Sequence, residues 1–142
     1  MKIITFDITN TLIKVSGSVG HQYNKILLDS RYKFNLDKDL ANKNFRKLFK
    51  EQNQKYPGYG LSKGMSSRHW WSMITTKLIE ENFKYYTPEK KFSDDDVRRM
   101  SNIIFDEFSS AEYWHTYENC SKYTFSKLAK LLGVMVSFKL FL

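Results

Sequence analysis

The chain has 142 residues, a formal net charge of +8, 42% hydrophobic residues and 16% aromatic residues, which suits one globular unit and excludes a disordered chain. One cysteine excludes a disulfide framework or a cysteine-rich zinc module, and six glycines with two prolines exclude a collagenous or low-complexity build. The N-terminus reaches Asp7 before any long apolar run develops, and no stretch approaches the ~18 apolar residues of a membrane span. An intracellular protein of the cytoplasm or nucleus, with no membrane partner, is therefore expected.

Lys2 to Phe6 reads as a short buried strand ending in the carboxylate of Asp7, and Thr9, Asn10 and Thr11 then favour a turn. After Gly17 and Gly20 the spacing turns helical. Tyr23, Ile26 and Leu27 mark one amphipathic helix, and Ala41, Phe45, Leu48 and Phe49 mark a second that Asp37 starts. Tyr56 to Gly64 is a glycine-rich loop, closed by Ser66 or Ser67 as the N-cap of a third helix carrying Trp70, Trp71, Ile74 and Leu78. Beyond Pro88, Ser93 and Asp96 resemble a capping box, and Val97, Met100, Ile104 and Phe108 follow at helical spacing. The helical signal lapses over Tyr113 to Tyr117. Phe125, Leu128, Leu131 and Leu132 then predict a last helix ending before Gly133, and Val134 to Phe138 a second strand. The fold class expected is α/β, with a long helical insert between two strands.

An acid at the carboxyl end of a buried strand sits where open α/β sheets place their ligands. The competing reading is a strand-ending aspartate that caps a turn. The run Phe6-Asp7-Ile8-Thr9-Asn10-Thr11-Leu12 resembles the first motif of the haloacid dehalogenase superfamily, Asp-x-Asp-x-Thr after a hydrophobic strand. The resemblance implies that Asp7 is the nucleophile, attacking a phosphoryl or carbon centre to give an aspartyl intermediate that water hydrolyses. It implies Thr11 as the hydroxyl that binds the substrate, and Mg²⁺ as cofactor, held by Asp7 and the backbone carbonyl of Thr9. The superfamily's second aspartate is replaced here by Thr9, whose hydroxyl cannot cycle a proton near neutral pH.

Val19-Gly20 with Tyr23, Tyr56-Pro57-Gly58-Tyr59-Gly60-Leu61 and Ser67-Arg68-His69-Trp70-Trp71 resemble the helical cap of the superfamily's subgroup called haloacid dehalogenase-like hydrolase domain-containing protein 3, with its rhythmically expressed relatives. That subgroup also lacks an aspartate at the place of Thr9. The resemblance implies a partial Rossmann-like core from residues 1–13 and 113–142, holding its first two strands, and a helical cap over residues 14–112. Ser137 is the candidate for the second motif's phosphoryl-binding hydroxyl. The third motif's lysine and the fourth motif's acids would lie further on, so the chain is expected to be a truncated, N-terminal part of a hydrolase of small phosphorylated substrates, inactive or impaired as it stands. An unpaired edge of the first strand would then favour self-association.

Other residues read more plainly. Arg68 is a candidate for a substrate anion, although a surface ion pair is the commoner fate of such a residue. Trp70 and Trp71 point about 100° apart on a helix, so packing is the first expectation for both. His21, His69 and His115 lack metal-ligand spacing, Cys120 has no base beside it, and Asp94-Asp95-Asp96 suits a helix N-terminus. The 23 basic residues run from Lys2 to Lys139 without a nucleic-acid motif, so a solvated basic surface is expected ahead of nucleic-acid binding. The alternative function is a non-catalytic binding protein that uses the cap and its basic surface for phosphate-bearing or nucleic-acid partners. A metal-independent dehalogenase is a third class, with no halide pocket to support it.

Overall fold

The computed structural model describes residues 13–86 and 92–117. Their order is β1 (Ile13–Val15), α1 (Val19–Asp29), α2 (Lys38–Lys55), a 3₁₀ turn (Gly58–Lys63), α3 (Ser67–Tyr86), α4 (Asp94–Phe108), a shorter 3₁₀ turn (Ala111–Tyr113) and β2 (Trp114–Thr116). Each helix starts at a short polar side chain that accepts a hydrogen bond from its unsatisfied first turn. Ser18 Oγ accepts from the His21 N–H at 3.2 Å, Asp37 Oδ1 from Leu40 at 2.7 Å, and Ser66 Oγ from His69 at 3.2 Å. At α4 the capping box is complete, because Ser93 Oγ accepts from Asp96 N–H while the Asp96 carboxylate accepts from Ser93 N–H, each at 3.2 Å. The Ser93 hydroxyl, which also donates to the Asp96 carboxylate at 2.8 Å, and then the Ser93 N–H hold that carboxyl below the usual carboxylate range.

The helices form a closed ring of neighbours. α1 packs on α2 and α4, and α3 packs on the same two, which leaves α2 and α4 at opposite corners. Apolar positions at three- and four-residue spacing fill the centre: Tyr23 and Leu27 from α1, Trp70, Ile74 and Leu78 from α3, and Met100 and Ile104 from α4 are all buried. The α1–α2 connection is tied down by buried amides. Asn24 Oδ1 accepts from Leu36 N–H at 2.8 Å, and Asn82 Oδ1 of α3 accepts from Asp37 N–H at 3.0 Å. Among the described residues no helix is long and apolar enough to cross a membrane.

β1 and β2 pair antiparallel, with Ile13 opposite Thr116, Lys14 opposite His115 and Val15 opposite Trp114, and Ser16 N–H extends the pairing to the Tyr113 carbonyl at 2.9 Å. This ribbon is not foreshadowed by the sequence pattern, which shows only a lapse of helix over Tyr113 to Tyr117. The strands expected at Lys2–Phe6 and Val134–Phe138, and the helix expected before Gly133, lie outside the described residues. The described part is thus mostly helical with one small antiparallel sheet, consistent with part of an α/β protein.

Gly20 sets the approach of α1 to α2. Its N–H donates to Asn42 Oδ1 at 2.8 Å, and a Cβ placed there would stand 2.2 Å from the Lys38 carbonyl oxygen, which is backbone and cannot swing aside. Gly20→Ala is expected to lower the unfolding free energy by about 1–3 kcal/mol through overpacking, read as a lower urea midpoint.

Candidate functional site

The expected nucleophile Asp7, the metal-binding Thr9 carbonyl, Thr11 and Ser137 lie outside the described residues. Thr11 stands two positions before Ile13, so the motif leads directly into β1 and the ribbon. Of the sequence-derived candidates, Arg68 is within the described structure. The Ser66 cap places it on the first turn of α3, where its guanidinium donates to the Asp106 carboxylate of α4 and lies 4.5 Å from the Phe105 ring centroid. Both members of the pair are about half exposed, with side-chain exposures of 48% and 58%.

Arg68 lines an open cleft of about 740 Å³ between the outer faces of α3 and α4, together with His69, Lys77, Asp94, Arg98 and Asn102. The cleft is electrostatically mixed. Arg68 is paired with Asp106, and Arg98 and Arg99 both donate to Asp95, which holds the Asp95 carboxyl below its usual range. An anion entering here competes with Asp106 for Arg68. Beneath the cleft, Thr75 Oγ1 and Ser101 Oγ share a hydrogen bond of 2.6 Å with both residues fully buried, which joins α3 to α4. Among the described residues no group of three or more His, Cys, Asp or Glu is placed to hold a metal ion.

The tandem tryptophans pack, as expected. Trp70 is buried, and its Nε1–H donates to the Tyr56 carbonyl at 3.0 Å while its ring meets Phe49 and Tyr59. Trp71 is half-buried beside Phe45 and Phe49, and donates from Nε1 to the Tyr23 hydroxyl at 3.0 Å. Burial pushes the Tyr23 hydroxyl far above the ordinary tyrosine range, against a smaller opposing effect of the Trp71 bond. The sequence reading missed Asp106 as the partner of Arg68, and the Thr75–Ser101 bond. Their separations of 38 and 26 residues leave no local spacing to read.

The chain is homologous to proteins named as haloacid dehalogenase-like hydrolases, the family that its motifs resemble. It is 30% identical over 114 residues to haloacid dehalogenase-like hydrolase domain-containing protein 3 of Xenopus tropicalis, a match covering 80% of this chain and 56% of that protein. The mouse (Mus musculus) protein of the same name is 26% identical over 123 residues, covering 83% of this chain and 43% of that protein. Rhythmically expressed gene 2 protein of Drosophila melanogaster is 25% identical over 115 residues, covering 80% and 41% respectively. The chain thus spans about half the length of the curated relatives it matches. No family model matches it.

Thr75→Val strands the buried Ser101 hydroxyl and is expected to cost about 1–3 kcal/mol, whereas Thr75→Val combined with Ser101→Ala costs less than the single change, as denaturant titrations of both will read. Arg68→Ala, which removes a half-exposed ion pair, is expected to change unfolding stability by less than about 1 kcal/mol in the same titration.

Proposed function

We propose that this chain supplies the nucleophile-bearing part of a haloacid dehalogenase-like phosphohydrolase acting on a small phosphorylated substrate. Residues 1–13 and 113–142 belong in this reading to a Rossmann-like α/β core, and residues 14–112 form a helical cap inserted after its first strand. The observation that carries the reading is the β1–β2 ribbon. Because Ile13 stands opposite Thr116, the chain enters and leaves the helical unit at one place, as an insert mounted on a core must. The Asp7-to-Thr11 motif immediately before that entry, and the homology to hydrolases over four fifths of the chain, support the same assignment.

The chemistry follows from the residue types. A carboxylate oxygen of Asp7 attacks phosphorus, an O–P bond forms, and the ester P–O bond breaks with its electron pair leaving on the substrate oxygen. Water then attacks the same phosphorus, releasing inorganic phosphate and restoring the Asp7 carboxylate. The Thr11 and Ser137 hydroxyls donate to phosphoryl oxygens, and Arg68 meets the substrate anion when Asp106 releases it. The Asp7 carboxylate and the Thr9 carbonyl are hard oxygen donors suited to Mg²⁺, which when bound neutralises charge on the phosphoryl oxygens. With Thr9 in place of a second acid, the leaving oxygen must take its proton from solvent, so turnover by this chain is slow or absent.

Calorimetric titration of the full chain with beryllium fluoride tests the assignment. Saturable binding that requires Mg²⁺ and disappears in Asp7→Asn, with the circular dichroism of the variant unchanged, is the expected result. Binding that survives Asp7→Asn, or no binding by the parent chain, overturns it.

A further inference from the structure

About a quarter of the chain's 23 basic residues lie on one helix. α2 carries six basic and two acidic side chains, and so holds +4 of the chain's net charge of +8 within 18 residues. Four of these, Lys43, Arg46, Lys47 and Lys50, follow one another at intervals of three, one and three residues, and all four are exposed. At about 100° per residue they fall within a sector of about 100°, and at 1.5 Å per residue they span about 10 Å along the axis. This is a continuous cationic stripe. The other face of the same helix, with Ala41, Phe45, Leu48 and Phe49, is turned into the core.

Among the described residues no acidic side chain pairs with the stripe. Among the described residues the ion pairs are Arg68–Asp106, Arg98–Asp95 and Arg99–Asp95, all on α3 and α4 and none on α2. α4, at the opposite corner of the ring, has five acidic side chains against two arginines. The described helical unit is therefore polarised from α2 to α4. A second copy would be an obvious source of complementary charge, but Asp95 and Asp106 are held in ion pairs and Asp96 in the capping box. An anionic membrane fits less well, because surface helices add an apolar face that enters the lipid, and among the described residues the exposed large apolar ones are Leu28, Tyr59 and Leu61, none of them on α2.

We propose that the Lys43–Arg46–Lys47–Lys50 face of α2 docks on the phosphate backbone of a nucleic-acid duplex, without reading its sequence. The reach of the stripe, about 10 Å, is comparable to the ~12 Å major groove, so its two ends meet phosphates on either side. Such contacts position a protein and displace counterions, and the stripe offers charge with no base-reading geometry. This inference is independent of the Asp7 chemistry and would stand if that reading fell.

The test is fluorescence anisotropy of a labelled 20-base-pair DNA duplex titrated with the full chain at several salt concentrations. With four phosphates neutralised, affinity is expected to fall about 150-fold between 50 and 200 mM salt. Lys43→Gln with Lys47→Gln is expected to bind more weakly and to reduce that fall to about tenfold, while Lys43→Arg with Lys47→Arg keeps the parent behaviour. Lys77→Gln with Lys84→Gln, an equal charge loss on α3, is expected to leave the salt dependence unchanged. Equal losses from the α2 and α3 pairs would mean net charge alone is at work and would overturn the proposal. Binding to phosphatidylserine vesicles in preference to the duplex, self-association in sedimentation that the α2 pair abolishes without any duplex binding, or salt-insensitive binding would overturn it as well.

Discussion

The helical unit is organised around the adjacent tryptophans of α3. Successive residues on a helix point about 100° apart, so one dipeptide addresses two directions at once. Trp70 reaches the end of α2 and the turn after it, bonding the Tyr56 carbonyl and meeting Phe49 and Tyr59. Trp71 reaches α1, bonding the Tyr23 hydroxyl, and rests against Phe45 of α2. Tyr23 in turn meets Phe108 of α4 edge-on at 5.1 Å, which closes the ring of four helices. Because both indole N–H groups have an acceptor, large aromatic area is buried without orphaning either indole donor.

The turn between α2 and α3 shows what the tryptophans demand of their neighbours. Tyr59 adopts a left-handed backbone, with φ 57° and ψ 24°, a conformation that costs a non-glycine residue about 1–2 kcal/mol. It is held there by its edge contact with Trp70, with ring centroids 4.9 Å apart. Gly60, also left-handed at φ 71°, is buried beneath Met65, whose side chain a Cβ would strike at 2.9 Å. The Gly58-Tyr59-Gly60 sequence is thus a tight fold-back whose one side chain is placed over the α3 indole.

What the sequence made legible was local. The Ser93–Asp96 capping box and the Val97, Met100, Ile104, Phe108 spacing lie within one helix, and the structure places all of them as read. Asp37 and Ser66 are caps for the same reason: a cap is decided by three or four consecutive residues. The β1–β2 ribbon was not legible, since each strand has three residues and its partner is about 100 positions away. Arg68 was readable as a candidate, but its attachment to Asp106 depends on how α3 lies on α4, which no spacing encodes. The motif of Asp7, Thr9 and Thr11 is a reading of residue types and their order alone, since it lies outside the described residues. The α2 charges looked dispersed until the helical period aligned them.

The ribbon also bears on how such a unit can be carried by another domain. Bridging a gap with a long flexible loop costs closure entropy that grows with the logarithm of its length, but a folded excursion whose two ends are already paired presents its host with a gap of only about 5 Å. To the rest of the chain, the roughly one hundred residues between Ile13 and Thr116 are thermodynamically equivalent to a hairpin turn.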